Sequence, residues 1–307
     1  MTLLDAIILG LVEGITEFLP VSSTGHLILT SALLGLDTPE QKGAVDTFNI
    51  AIQGGAILAV LGLYFPRVIQ MLKGLIGKDP VGRRLLINLF IAFLPAAILG
   101  VLLNDLIEAN LFRPVPVLLA LFVGGLWMIW LGKGRASKDA KEPALTIETM
   151  TWKHALGIGC FQVVAMWPGT SRSMMTIAGG TVLGLHPKQA AEFSFLLGLP
   201  TLGGACVYSL AKDWKEARDT GGEMMIEQLG WAPVLVGLLV ATVSAAIAVK
   251  WLVGFLNKHG LGAFGWYRIA LAIVMGAAIW TGFVSFSPSD ADIAIPQVPE
   301  KAPLIAE

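Results

Sequence analysis

The residues best placed for chemistry lie in Leu11–Leu29, LVEGITEFLPVSSTGHLIL. Two glutamates, two serines and a histidine sit there among side chains apolar enough for a bilayer. Ionisable groups in hydrocarbon cost several kcal/mol unless paired or hydrated, so by default they mark a functional site. Glu13 and Glu17 are four apart, which puts both carboxylates on one face of a helix. Pro20 ends that helix, and the polar run Ser22–His26 follows in a non-helical turn. Two carboxylates this close repel, so a shared proton or a cation must hold them. Magnesium and calcium favour carboxylate and phosphate oxygens, and one or two carboxylates plus a substrate phosphate form a common set. The same pair would also serve a proton- or cation-coupled transport site. His26, three residues after Ser23, is placed to move a proton to or from a serine nucleophile, a water or a leaving oxygen. Alone, it would read as a hydrogen-bonded core residue.

A second polar break, WPGTSRSMMTIAGG, lies in the other half of the chain. Arg172 sits among Thr170, Ser171 and Ser173, just after Pro168 and Gly169. A helix restarting after a proline-glycine turn presents free backbone N–H groups, which bind anions. A guanidinium adds a bidentate clamp suited to phosphate. The run Gly169–Ser173 therefore reads as a phosphate cradle. The competing reading is a structural ion pair between Arg172 and Glu13 or Glu17. No histidine–cysteine cluster suggests zinc, and Cys160 and Cys206 read as small buried hydrophobes.

These breaks need elements to hold them. Of 307 residues, 55% are hydrophobic and 14% charged, against about 25% charged in soluble domains. That composition is expected of a polytopic membrane protein, and a net charge of −1 gives no reason for a nucleic-acid partner. Six segments approach the roughly 20 apolar residues a span requires: Phe48–Tyr64, Leu85–Leu103, Val115–Leu131, Phe193–Leu210, Trp231–Val253 and Tyr267–Phe286. Two further apolar regions, Leu3–Leu36 and His154–Leu185, are each too long for one span and are broken in the middle. A pair of helices that dips in and returns fits both. Trp130, Trp152, Trp231, Trp251 and Trp266 fall at segment ends, as an interfacial aromatic belt does. Gly180 and Gly184 read as a helix-packing pair.

The broken regions are alike. ITEFLPVSSTG and VAMWPGTSRS each place an aromatic before a proline and hydroxyls after it. Phe48 with Gly54-Gly55-Ala56 is echoed by Phe193 with Gly203-Gly204-Ala205. Interrupted segments at matching positions of two halves signal an internal repeat with its site at the repeat interface. Loop charge agrees. Arg67, Lys73, Lys78, Arg83 and Arg84 mark one cytoplasmic loop; Lys133, Arg135, Lys138, Lys141 and Lys153 mark another; Lys250, Lys258 and Arg268 mark a third. Asn104–Pro114, Ala211–Gly230 and the tail then lie outside. The first broken pair enters from outside and the second from inside, an inverted topology. The expected fold class is all-α and polytopic: about six transmembrane helices plus two re-entrant pairs. It forms one domain over 1–286 (repeats about 1–132 and 150–286), followed by a disordered periplasmic tail, 287–307. No cleavable signal peptide is expected.

EGITEFLPVSSTGH together with PGTSRS resembles the undecaprenyl pyrophosphate phosphatases, also called bacitracin-resistance proteins, and the likeness runs from Leu3 to about Phe286. The resemblance implies a multi-pass enzyme of the bacterial inner membrane, with its site facing the periplasm. Its polyprenyl pyrophosphate substrate would lose the terminal phosphate to regenerate the monophosphate carrier for cell-envelope synthesis. It further implies a divalent cation, Mg or Ca, at Glu13 and Glu17. The catalytic set is then Glu17, Ser23, His26 and Arg172. Phosphate would be bound by Ser22, Thr24, Gly169, Thr170, Ser171, Arg172 and Ser173. One departure is Met174, where the family motif usually has glycine, which is expected to tighten the space beside the phosphate loop. Gln162 stands near the place of the first glutamate in the second half, so the acidic pair is not duplicated. The partners expected are the lipid substrate and membrane lipids. The spacing leaves open whether Ser23 attacks or orients a water, whether the protein forms a homodimer, and whether it also flips its product. The rival class is a polyprenyl-phosphate transporter or flippase using the same inverted-repeat site. A receptor or scaffold would leave the buried ionisable residues unexplained.

Overall fold

A computed structural model describes residues 1–135 and 145–282, with backbone alone at 104, 105, 108, 134 and 135. The expected tail and the loop lysines Lys138 and Lys141 lie outside the described residues. The described chain is all-helical apart from short turns and one isolated bridge between Leu145 and Leu185. Six helices are long and apolar enough to cross a membrane: α3 (Pro39–Leu63), α5 (Pro80–Leu111), α6 (Pro114–Arg135), α9 (Pro187–Thr220), α11 (Trp231–His259) and α12 (Gly262–Trp280). They match the six apolar segments, but several run on past them. α3 begins at Pro39, because a proline at the first helical position tolerates the polar PEQK turn that hydropathy alone reads as loop. α5 and α9 continue to Leu111 and Thr220 through residues expected to be external loops. α4 (Phe65–Leu75) and α10 (Met225–Leu229) are short helices with no span-like signal.

Both broken regions form two short helices joined by a tight turn. α1 (Leu3–Thr16) leads to α2 (Ser23–Leu33), and α7 (Trp152–Val164) leads to α8 (Arg172–Val182). At about 1.5 Å per residue, none of these could cross a hydrocarbon core of about 30 Å. α2 and α8 are each 11 residues long and lie 149 positions apart at both ends (23 to 172, 33 to 182). The pairs do not pack mainly within their own halves. α1 packs against α11, and α7 packs against α5. Between lipid-soluble helices the attraction comes from close fit, which small residues allow. A side chain at Gly10 would strike the Gly237 carbonyl of α11 at 2.6 Å, and one at Gly159 would strike the Ala92 carbonyl of α5 at 2.6 Å. These two glycines share the 149-residue offset. α6 pairs with α12, and α3 lies against α9 and α11. Gly184 is not a packing glycine but the left-handed end of α8, with φ of 108°.

The largest core cluster surrounds the place where the two turns approach each other. Phe18, in the first turn, meets Phe195 of α9 edge-on, with ring centroids 5.4 Å apart. Such a pair contributes about 1 kcal/mol beyond its buried area. Cys206 is buried as expected, whereas Cys160 is exposed on the outer surface of α7.

Candidate active site

The two turns are built alike. Ser22 and Ser171 have φ of 72° and 75°, and they are the only non-glycine residues with positive φ among the described residues. Each is the N-cap of the helix that follows. Ser22 Oγ accepts from the Gly25 amide at 3.4 Å, and Ser171 Oγ from the Met174 amide at 3.3 Å. A left-handed serine costs roughly 1–2 kcal/mol, an expense typical of functional sites. This geometry sets Ser23 and Arg172 as the first residues of α2 and α8, at the helix ends where backbone N–H groups are free.

There the halves join. Arg172 Nη2 donates to Glu17 Oε1 at 3.3 Å, with side-chain exposures of 11% and 6%. Ser23 Oγ donates to the other Glu17 oxygen, Oε2, at 2.7 Å. Ser173 Oγ donates to the Leu19 carbonyl at 2.8 Å and lies 3.0 Å from Ser171 Oγ. Arg172 Nη1 donates to the Ser194 carbonyl at 3.0 Å, and its guanidinium stands 5.6 Å from the Phe18 ring centroid. The ion pair weighed against a phosphate cradle is therefore present, with one guanidinium nitrogen, Nε, finding no acceptor among the described residues.

Glu13 lies one helical turn back from Glu17 and is fully buried. Its carboxyl faces the Glu17 carboxyl closely enough to share a proton, no other donor meets its oxygens among the described residues, and Arg172 is its other charged neighbour. Two carboxyl groups this close suit a shared proton or a hard cation between them. No group of three or more His, Cys, Asp or Glu residues is assembled among the described residues, so the protein's acidic donors to such a cation would be these two.

Not every expected residue joins this cluster. The His26 ring lies 2.7 Å from the Ser22 carbonyl through Nδ1 and 2.7 Å from Tyr267 Oη through Nε2, and it stacks on the Tyr267 ring. A carbonyl can only accept, so Nδ1 carries a proton, and in the neutral imidazole Nε2 then accepts from the tyrosine. Both nitrogens are thus engaged by groups other than the Ser23 hydroxyl. Thr24 lies in the first turn of α2 and Thr170 in the turn before Ser171. Neither hydroxyl reaches Glu17 or Arg172 by a hydrogen bond among the described residues. Met174 is 1% exposed, and its methyl end faces Gly124 of α6, so it fills core space behind the turn that precedes α8 rather than the turn itself.

Thr176 and Ser194 carry no readable signal in the sequence. Thr176 Oγ1 lies 2.6 Å from Ser194 Oγ and donates to the Arg172 carbonyl at 2.8 Å, backing the arginine from below. Helical hydroxyls commonly bond the preceding turn, so sequence does not distinguish these two. Gln162, which matches Glu13 at the same offset of 149, is buried and accepts from Thr201 Oγ1 at 3.3 Å. Arg268 was expected in a cytoplasmic loop. It lies instead well inside α12 and is fully buried, donating to the Ala120 and Gly169 carbonyls.

Fold and site together define a multi-pass membrane protein with one buried site, in which a carboxylate pair from one broken helix pair meets an arginine and hydroxyl loop from the other. Residues 6–274 match the family described as bacitracin resistance protein BacA, and the chain belongs to that family. It is 46% identical to undecaprenyl-diphosphatase 2 of Rhodospirillum rubrum over 285 residues, covering 93% of this chain and 98% of the relative. It is 44% identical to the undecaprenyl-diphosphatase of Sorangium cellulosum over 271 residues, covering 88% and 84%. The Polaromonas sp. undecaprenyl-diphosphatase is 42% identical over 287 residues, covering 93% and 98%. The family resemblance carried by EGITEFLPVSSTGH and PGTSRS is borne out.

Proposed function

We propose that this protein hydrolyses undecaprenyl pyrophosphate to undecaprenyl phosphate and inorganic phosphate, at the junction of the two broken helix pairs. The observation that carries the placement is the Ser23–Glu17–Arg172 chain, 2.7 and 3.3 Å long, which joins a hydroxyl, a base and a phosphate-binding cation across the two halves. A transporter would need no hydroxyl held against a carboxylate.

Arg172 and the amides at the start of α8 take the terminal phosphoryl group, and the hydroxyls of Thr170, Ser171 and Ser173 line the same turn. Ser22 and Thr24 flank Ser23 on the opposite turn. As the phosphoryl oxygens gain charge, a donor already fixed by Glu17 and Ser194 needs little reorganisation. Ser23 Oγ is the nucleophile: it forms the new P–O bond as its proton passes to Glu17 Oε2. The bridging P–O bond breaks, and the lipid leaves as its monophosphate. Water then attacks the phosphoserine phosphorus, the Ser23 Oγ–P bond breaks as Ser23 Oγ takes the proton back from Glu17, and inorganic phosphate leaves carrying the water's oxygen and protons. His26, its ring held by Tyr267, would supply or take a proton at the leaving oxygen from that held position. Glu13 and Glu17 would hold a Mg or Ca ion, whose chemistry is to neutralise the pyrophosphate and polarise its phosphorus.

We further place the site on the periplasmic side of the bacterial inner membrane, with the two pairs re-entering from opposite faces as an inverted repeat. The basic residues around α4 and after α6 support that orientation.

Purified protein is expected to release phosphate from undecaprenyl pyrophosphate, to lose that activity with a chelator and to regain it with Mg or Ca. Brief quenching should trap phosphate on Ser23. Full activity in Ser23→Ala would reject serine attack, and no phosphate release by the wild type would reject the function.

A further inference from the structure

α12 touches both halves of the site through two consecutive residues. Tyr267 Oη lies 2.7 Å from His26 Nε2, on the first pair. Arg268 Nη2 donates to the Gly169 carbonyl at 2.8 Å, on the second pair, and to the Ala120 carbonyl of α6 at 2.9 Å. Neighbours on a helix point about 100° apart, so one short stretch can reach two different turns.

Arg268 is an expensive residue to keep there. Its side chain is fully buried, and its Nε and Nη1 find no acceptor among the described residues. Carbonyl oxygens are the acceptors of its hydrogen bonds. A buried guanidinium with no counter-ion among the described residues carries a penalty of several kcal/mol, which packing alone does not require. The surrounding backbone is shaped to admit it. A Cβ on Gly124 would stand 2.6 Å from Arg268 Nη2. Gly125 and Gly265 let α6 and α12 close to the point where their side chains would strike each other's carbonyls at 2.8 and 2.5 Å. The turn that Arg268 holds is otherwise fixed to α6 by Trp167 Nε1, which donates to the Pro116 carbonyl at 3.1 Å. Gly169, at φ of 89°, is the hinge from which Ser171 and Arg172 start.

We infer that Tyr267 and Arg268 form a positioning clamp, Tyr267 fixing the His26 ring and Arg268 fixing the Gly169 carbonyl, so that the two turns are held in register for phosphoryl transfer. Neither residue touches Glu17, Ser23 or Arg172 by a hydrogen bond among the described residues, so both act through the groups they hold. This inference rests on the active site proposed above.

Double-mutant cycles on purified enzyme test it, read as kcat for phosphate release from undecaprenyl pyrophosphate. Arg268→Met is expected to lower kcat at least tenfold with KM changed less than threefold, and Arg268→Lys to restore part of the loss. In an Arg172→Ala background the same Arg268→Met change should lower kcat less than threefold further, because the residue it positions is gone. Tyr267→Phe should lower kcat severalfold alone and hardly at all beside His26→Ala. An Arg268→Met variant that keeps wild-type kcat overturns the clamp, as does an undiminished tenfold loss in the Arg172→Ala background, which is how a purely structural role would behave. If Arg268→Met does not fold, Gly124→Ala displaces the guanidinium tip with the charge retained. It should show the same kcat loss and the same dependence on Arg172, and wild-type kcat would again overturn the clamp. Wild-type kcat in Arg172→Ala itself would instead reject the site, leaving the two failures distinguishable.

Discussion

Glu13 is the residue whose environment most demands an explanation. A buried carboxyl that meets no partner but a second carboxyl among the described residues is not a stable arrangement unless a cation or proton completes it. If it serves a cation, Glu13→Gln should raise the Mg or Ca concentration for half-maximal phosphate release at least tenfold. Thermal unfolding in detergent without added cation should stay level or rise. An unchanged cation requirement would assign Glu13 a structural role. The serine caps make a second prediction at this scale. Ser22→Ala and Ser171→Ala each remove a cap worth about 1 kcal/mol, so each should lower the unfolding midpoint by about 2 °C. A midpoint at or above wild type would contradict the capping role.

Glu13, Glu17, Ser23 and Arg172 were legible because polar residues in an apolar run have no other reason to be there. Arg268 was not, because a cation six residues into a helix near a chain reversal looks the same in sequence whether it snorkels out or turns inward. His26 stands out in the sequence as a candidate, but its partner Tyr267 is 241 positions away, and no local pattern connects them.

Among the elements, apolar runs located all six spans but cut them short wherever a proline start or a polar last turn extended the helix. α4 was hidden because hydropathy sees no span in a short helix carrying Arg67 and Lys73. The repeat signal Gly-Gly-Ala was visible, yet sequence could not say which glycine mattered. The structure separates them. A side chain on Gly55 would meet the Leu238 carbonyl of α11, whereas Gly54 has nothing within 4 Å. Gly55→Ala should therefore destabilise by about 1–3 kcal/mol, the range for overpacked cores, seen as a lower unfolding midpoint in detergent. Gly54→Ala should match the wild type. Equal behaviour of the two would show that α3 and α11 are not packed as described.

For the molecule as a whole, the decisive feature is that each broken pair leans on a long helix of the other half, α1 on α11 and α7 on α5. That exchange carries the turn bearing Glu17 and Ser23 to the turn bearing Arg172. Glu17 and Arg172 are 155 residues apart in sequence and 3.3 Å apart in space. Sequence could place both turns on broken helices and match them as repeats, but their meeting depends on packing between helices, which no local pattern encodes. If these turns form one phosphoryl-transfer site, the rate of phosphate release from undecaprenyl pyrophosphate by purified Arg172→Ala will show it. Loss of a fixed donor to the transferring group should lower kcat by about 10²–10³-fold, with the variant still folded. A folded Arg172→Ala enzyme working within threefold of the wild-type rate would contradict the account.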